Sequence, residues 1–224
     1  VNMFGNLADY SRIKDYCDKH KIPLIEDAAQ SQGAFFGKTP SGKLGDVSVF
    51  SFDPMKNMPS FGTGGMVLTD SKDVHDTVLS LRRHGLSGKS TYGYNSLISE
   101  DHANQLILLL SKFDKLQRMR KKVFERYKKN LEHTDFVETQ DNTQSSHHKM
   151  VMLSNRRDEL KTYLAHNGIE TKVHYVKTLD SKNIGHYPNA EKICSTALSL
   201  PIYPHLTMKE VDYICERIRK FNGV

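Results

Sequence analysis

Ile22-Pro23-Leu24-Ile25-Glu26-Asp27-Ala28-Ala29-Gln30 runs from apolar to acidic within a few residues. An apolar stretch this short reads as a strand over Ile22–Glu26, buried on both faces of a parallel or mixed sheet, with its C-terminal end carrying the acids. Two further segments of the same kind follow, Val47–Phe52 and Gly65–Thr69. Helical patterns lie around them: Leu7–His20 after Asn6 as cap, and Lys72–His84 between Ser71 as cap and Gly85 as stop. The alternation gives an α/β fold. In such sheets ligands sit outside the C-terminal ends of the strands, which is where Asp27 falls.

The chain continues with a stripe, Leu106, Leu109, Phe113, Leu116, Met119, Val123 and Tyr127, whose steps of three and four define one long helix over His102–Leu131. A polar loop, Asp141–Ser146, comes next. The remainder reads as a strand at His148–Leu153, a helix at Arg157–His166 stopped by Gly168, a strand at Glu170–Tyr175 and a helix at Ala190–Leu198. Thr207 then opens a last helix, with Glu210 completing a capping box. We divide the chain into a first domain, residues 1–131, including the connecting helix, and a small C-terminal α/β domain, residues 132–224.

Composition narrows the function classes. Among 224 residues, 32 Lys+Arg against 26 Asp+Glu leave a formal charge of +6, which suits an anionic small molecule and is too weak and too mixed to indicate nucleic acid. No apolar run approaches the roughly 20 residues that a bilayer crossing requires, so no membrane association is expected. The three cysteines, Cys17, Cys194 and Cys215, are odd in number and form no CxxC pair, which points to a reducing, cytoplasmic compartment.

Chemistry concentrates at two places. Asp27 closes the first strand, and Gln30 stands alongside it if the chain turns helically there; the alternative is that Asp27 merely caps the turn. After the strand Val47–Phe52 come Ser51, Asp53 and Lys56 on a loop bounded by Pro54 and Pro59, then Gly62-Thr63-Gly64-Gly65. A lysine there, close to the crevice, can serve as an amine nucleophile once desolvated. An acid for a pyridine nitrogen and an amine for an aldehyde carbon are what pyridoxal phosphate chemistry requires. The glycine run matches neither GxGxxG nor a P-loop, and its expected role is a tight turn before a strand. His147-His148, adjacent in a strand, would point to opposite faces and do not suit a shared metal. The basic run Arg118–Lys122, with Arg126, Lys128 and Lys129, reads as the solvated face of the long helix.

Ile25-Glu26-Asp27-Ala28-Ala29-Gln30-Ser31-Gln32-Gly33-Ala34, Gly37-Lys38, Leu44-Gly45-Asp46-Val47, Phe50-Ser51-Phe52-Asp53-Pro54-Met55-Lys56-Asn57 and Gly64-Gly65-Met66-Val67 resemble, in order, the DegT/DnrJ/EryC1/StrS sugar aminotransferases. The likeness runs on through Gly93-Tyr94-Asn95 and Gly168-Ile169-Glu170-Thr171-Lys172-Val173-His174-Tyr175 to Leu198-Ser199-Leu200-Pro201-Ile202-Tyr203-Pro204. The resemblance implies the aspartate-aminotransferase fold (PLP fold type I): here, the second half of the PLP-binding large domain plus the small domain. It also implies pyridoxal 5′-phosphate as cofactor, with Lys56 forming the internal aldimine and shuttling the proton to the substrate carbon. Asp27 would pair with the pyridine nitrogen, Gln30 contact the ring oxygen and Ser51 bind the phosphate. Asn95 would reach the phosphate of a neighbouring subunit, which implies a homodimer with shared active sites, and His174 and Tyr175 would line the substrate side.

The implied reaction moves an amino group, with glutamate the expected donor, to a nucleotide-linked keto-sugar of the kind used for surface polysaccharides or antibiotic sugars. Lysine at position 56, rather than histidine, favours transamination over the family's dehydratase branch. The chain starts after the place where members carry a phosphate-binding turn and a ring-stacking aromatic, so it is expected to be the C-terminal two-thirds of such an enzyme. The other reading is a non-catalytic remnant, or one half of a split enzyme, acting as an interaction module. Exposed apolar sheet edges in such a piece predict aggregation or compensating assembly. Ser96-Leu97 and Lys177-Thr178-Leu179-Asp180 depart from the family's usual residues near the sugar nucleotide.

Overall fold

The computed structural model describes residues 1–86, 92–180, 182 and 185–223. Two compact units make up the chain: Val1–Lys115 with Thr139–His148, and Leu116–Glu138 with Lys149–Val224.

The first unit is built on a mixed sheet of order β1-β4-β5. β1 (Ile25–Asp27) runs parallel to β4 (Val47–Ser51), with Ile25 opposite Val47 and Asp27 opposite Val49; β4 pairs antiparallel with β5 (Gly65–Thr69), with Ser51 opposite Gly65. β1 is shorter than the expected strand, because residues 22–24 precede the ladder. Only β4 has neighbours on both sides, so Ile25 on β1 and Met66 and Val67 on β5 are exposed, unlike strands buried on both faces. A second small sheet, β3-β2-β6, joins β2 (Phe35–Phe36), β3 (Thr39–Pro40) and β6 (Thr143–Gln144). It draws β6 from the expected polar loop, since strands of two residues show no alternation to read.

α1 (Tyr10–His20) starts later than expected, capped by Asp9, whose Oδ1 accepts from Arg12 N–H at 3.3 Å. Asn6 is not the cap, because the residues after it are held outside the helix: Ala8 N–H donates to Asn2 Oδ1 at 3.1 Å, and Tyr10 N–H turns back to Ala8 O at 2.8 Å. α2 (Lys72–Leu81) is capped by Ser71 as expected but stops before His84. There Gly85 N–H turns back to Ser80 O and His84 N–H pairs with Tyr94 O, so a non-local partner takes over from the helix.

The long helix is two helices. α3 (Glu100–Leu110), capped by Ser99, and α4 (Phe113–Asn130) are separated at Ser111-Lys112, where Ser111 Oγ donates to Leu108 O at 2.7 Å. A serine hydroxyl that bonds the preceding turn competes with the helical ladder. The apolar stripe accordingly serves two cores. Leu106, Leu109 and Phe113 pack with Phe52 and Met58 in the first unit, while Val123 and Tyr127 belong to the core of the second.

In that second unit β7 (Met150–Leu153) pairs antiparallel with β8 (Ala197–Leu200), and α4, α5 (Arg157–His166) and α7 (Met208–Asn222) contribute the surrounding core residues. The expected helix over Ala190–Leu198 is α6 (Pro188–Thr196), and its last residues have passed into β8, whose four residues are all buried against the core. Glu170–Tyr175 forms no strand; only Lys172 bridges, to Ser199. Arg120, read as part of a solvated face, is buried and donates to Ile202 O at 2.9 Å. Leu164 is fully buried on α5, and Leu164→Ala should cost about 2–5 kcal/mol in a urea titration through lost burial and the cavity left behind. The Thr207–Glu210 capping box forms as expected, and Thr207→Ala should cost about 1 kcal/mol by the same measurement.

Candidate active site

Glu26 and Asp27 leave β1 with opposite environments. Glu26 is fully buried, and five donors converge on its carboxylate: Asn2 Nδ2 (3.0 Å) and Ser41 Oγ (2.9 Å) on Oε1, and Gly42 N–H (2.9 Å), Leu44 N–H (3.1 Å) and Ser48 Oγ (2.8 Å) on Oε2. An acceptor-only carboxylate is the side chain that can take up so many donors. Nearby Tyr10 is also buried, and that burial, with Glu26 adding to it, raises its phenol well above the ordinary value. Close packing continues beneath: a Cβ on Gly45 would lie 2.7 Å from Leu24 O and 2.9 Å from Glu26 N, so only glycine allows this approach.

Asp27 is half-buried at the C-terminal end of β1, and its Oδ1 accepts from Ala29 N–H at 3.1 Å. The turn is therefore capped by Asp27, which leaves Oδ2 for other chemistry. Gln30 lies in the succession of turns that follows, where Ser31 N–H bonds Ala28 O and Ala34 N–H bonds Ser31 O. The Gln30 side-chain carbonyl accepts from Phe4 N–H at 3.0 Å. Ser51 ends β4, the parallel neighbour of β1, so Asp27 and Ser51 emerge at the same end of the sheet. Ser51 Oγ accepts from Asp53 N–H at 3.3 Å.

Lys56 sits half-buried in the turn after β4. Its N–H bonds Asp53 O at 2.9 Å, and Asp53 Oδ1 accepts from Met55 N–H at 2.9 Å. The next residue, Asn57, is buried and ties this turn to distant chain: Nδ2 donates to Ser146 O (2.9 Å) and to Gln32 O (3.3 Å), and Oδ1 faces His148 Nδ1 at 3.3 Å. His148 thus has a structural partner and stands outside β7, with His147 in the irregular segment before it rather than on a strand. Among the described residues no group of three or more His, Cys, Asp and Glu could hold a metal ion.

The glycine run before β5 is not a left-handed turn. A Cβ on Gly62 would lie 2.7 Å from the His102 ring and one on Gly64 2.9 Å from Ile98, so these glycines admit α3 and the segment before it against the loop. Asn95 is exposed and bridges to Arg83. In the second unit His174 is half-buried, with Nδ1 at 2.8 Å from Ser199 Oγ, and Tyr175 is exposed with its ring edge-on to His174. Burial, reinforced by Lys149 and Lys172, lowers the His174 pKa below the ordinary histidine value.

The donor set of the first unit suits pyridoxal phosphate. One carboxylate, one hydroxyl and one amine, on Asp27, Ser51 and Lys56, come from the C-terminal ends of two parallel strands and the turn that follows, and that turn is fixed by Asn57 and Asp53. Sequence reasoning had no means of finding Asn57 or Ser199, because each acts through a partner far along the chain.

A profile of the DegT/DnrJ/EryC1/StrS aminotransferase family matches residues 1–219. The "Pleiotropic regulatory protein" of Geobacillus stearothermophilus is 32% identical over 99% of this chain and 64% of its own length. The "dTDP-3-amino-3,4,6-trideoxy-alpha-D-glucose transaminase" of Streptomyces venezuelae is 30% identical over 99% of this chain and 62% of its own length. Among solved structures, DesV of S. venezuelae, in complex with a ketimine intermediate, superposes with a TM-score of 0.93 at 29% identity, over 99% of this chain and 64% of that one. The chain spans a little under two thirds of the length of these relatives. No helix among the described residues is long and apolar enough to cross a membrane. With the family matched over residues 1–219 and the fold shared, this chain belongs to the DegT/DnrJ/EryC1/StrS aminotransferase family.

Proposed function

We propose that the protein takes part in pyridoxal-phosphate-dependent transfer of an amino group, from glutamate as donor, to the keto carbon of a nucleotide-linked sugar. The observation that carries the reading is the placement of Asp27 and Ser51 at one end of the parallel β1–β4 pair, with Lys56 in the anchored turn just beyond. The transaminase name of the Streptomyces relative supports the sugar-nucleotide class. Val1–Lys115 with Thr139–His148 would form the cofactor-binding part and Leu116–Glu138 with Lys149–Val224 the small domain of a cytoplasmic homodimer with shared active sites.

Bound pyridoxal phosphate would supply an aldehyde carbon that accepts amines and a ring that draws off electron density. Asp27 keeps one oxygen on Ala29 N–H and offers Oδ2 to a protonated ring nitrogen, where its charge favours the protonated form. Gln30, whose carbonyl accepts from Phe4 N–H, would lie against a ring oxygen. Ser51 Oγ, which accepts from Asp53 N–H, would donate to the phosphate. Lys56 Nζ is the amine, and it later moves a proton to and from the substrate carbon. Asn95 would reach the phosphate in the neighbouring subunit, and His174 and Tyr175 would contact the sugar nucleotide.

The test is spectroscopic. Adding pyridoxal phosphate to the protein should produce a visible band that glutamate bleaches and a keto acid restores. A second reading, a non-catalytic interaction module, is favoured by the regulatory name of the Geobacillus relative. It predicts no band at any cofactor concentration, and that result would overturn the transaminase reading.

A further inference from the structure

Ser199 lies at the crossing of three strand-like segments in the second unit. It pairs with Val151 across β7–β8, and on its other side it exchanges two backbone hydrogen bonds with Lys172, Ser199 N–H to Lys172 O at 2.8 Å and Lys172 N–H to Ser199 O at 3.2 Å. Its side chain then meets His174, two residues beyond Lys172, at 2.8 Å on Nδ1. The backbone pairing fixes where residue 174 leaves the bridge, and the hydroxyl fixes the ring.

The direction of that hydrogen bond follows from burial. Ser199 is buried, and among the described residues the only partner its Oγ has is His174 Nδ1. An Nδ1–H tautomer would leave the buried Ser199 O–H without an acceptor, which a buried hydroxyl does not tolerate cheaply. The O–H therefore donates to Nδ1, and the proton of the neutral ring resides on Nε2. The charged groups acting on the ring are Lys149 and Lys172; both oppose its protonation, as burial does.

We propose that Ser199 is a positioning residue that locks His174 as the neutral Nε2–H tautomer, so that the ring offers a hydrogen-bond donor to an oxygen of the sugar nucleotide. The inference rests on the reading of His174 as a substrate-side residue. A serine whose only duty was packing would leave the tautomer unchanged when replaced, which separates the two roles.

The experiment is a long-range 1H–15N spectrum of the full chain labelled at histidine nitrogens, with His174→Gln to assign the resonances. The wild type should show His174 as a single Nε2–H tautomer. Ser199→Ala should give a mixture of tautomers and a raised His174 pKa, since the bond favouring the neutral ring is gone, and Ser199→Thr should restore the wild-type pattern. An Nδ1–H tautomer in the wild type, or an unchanged tautomer in Ser199→Ala, overturns the role of Ser199. UDP-N-acetylglucosamine and dTDP-glucose, nucleotide-linked sugars without a keto group, should shift the His174 Nε2–H resonance of the wild type. If neither does at saturating concentration, it is the substrate-side reading of His174 that fails.

Discussion

Replacing Glu26 with alanine should remove about 3–5 kcal/mol of stability, enough to unfold a marginal domain. The cause is less the loss of a negative charge than the donors left behind. Asn2, Ser41 and Ser48 side chains and the Gly42 and Leu44 N–H groups all aim at the Glu26 oxygens, in a place closed to water. The hydroxyls can turn elsewhere; the two backbone N–H groups cannot. Glu26→Gln keeps the volume but turns an NH2 group towards donors whichever way it is set, and about 2 kcal/mol is expected. Urea unfolding followed by circular dichroism checks both. A loss below about 1 kcal/mol for the alanine variant would mean that water enters and replaces the carboxylate. The same network ties the 41–48 segment and Asn2 to the strand that carries Asp27, so the damage is expected to reach the site as well as the fold.

Glu26 also shows what could and could not be read from the chain alone. The apolar run ending in two acids marked a strand terminus, and the choice of Asp27 over Glu26 as the chemical acid followed from its position. Nothing local indicated that Glu26 is a fastening point for residues 2, 41, 42, 44 and 48, because each donor comes from a separate segment. Elements governed by local signals came through well: the Ser71 and Thr207 caps, Gly65–Thr69 and Arg157–His166 stand where periodicity and capping put them. Elements governed by non-local pairing did not. Ala197 and Leu198 continue a helical pattern yet join β8, since β7 offers them a ladder and a buried face. The stripe of residues 106–127 is unbroken in period, and only Ser111 hints at the interruption between α3 and α4. Arg120 sits in a basic run like its neighbours, but the carbonyl of Ile202, far along the chain, gives it a buried acceptor. The placement of Asp27 and Ser51 at strand ends, with Lys56 in the loop beyond, was legible in the apolar runs before them; the anchoring by Asn57 was not, because its partners at Gln32, Ser146 and His148 are unrelated in sequence.

In the proposed reaction, Lys56→Ala should lower amino transfer by about ten-thousand-fold or more in kcat, since that reading asks one side chain both to supply the amine and to move the proton. The variant should fold normally. Lys56 is half-buried, its turn is held by backbone and by Asp53 and Asn57, and none of those hydrogen bonds uses the Lys56 side chain. That independence is what makes the result interpretable: a loss of rate with an unchanged urea midpoint isolates the amine. Lys56→Arg keeps the charge but not a readily deprotonated nucleophile, so it should fail nearly as completely, whereas a purely electrostatic role would be rescued by it. Asp27→Asn provides the contrast. Its side chain can still cap the turn through its carbonyl, so stability should hold while the ring nitrogen loses its charged partner, and the rate should fall with Lys56 still in place. Turnover persisting in Lys56→Ala would remove the lysine from the chemistry and, with it, the transaminase reading of the β1–β4 strand ends.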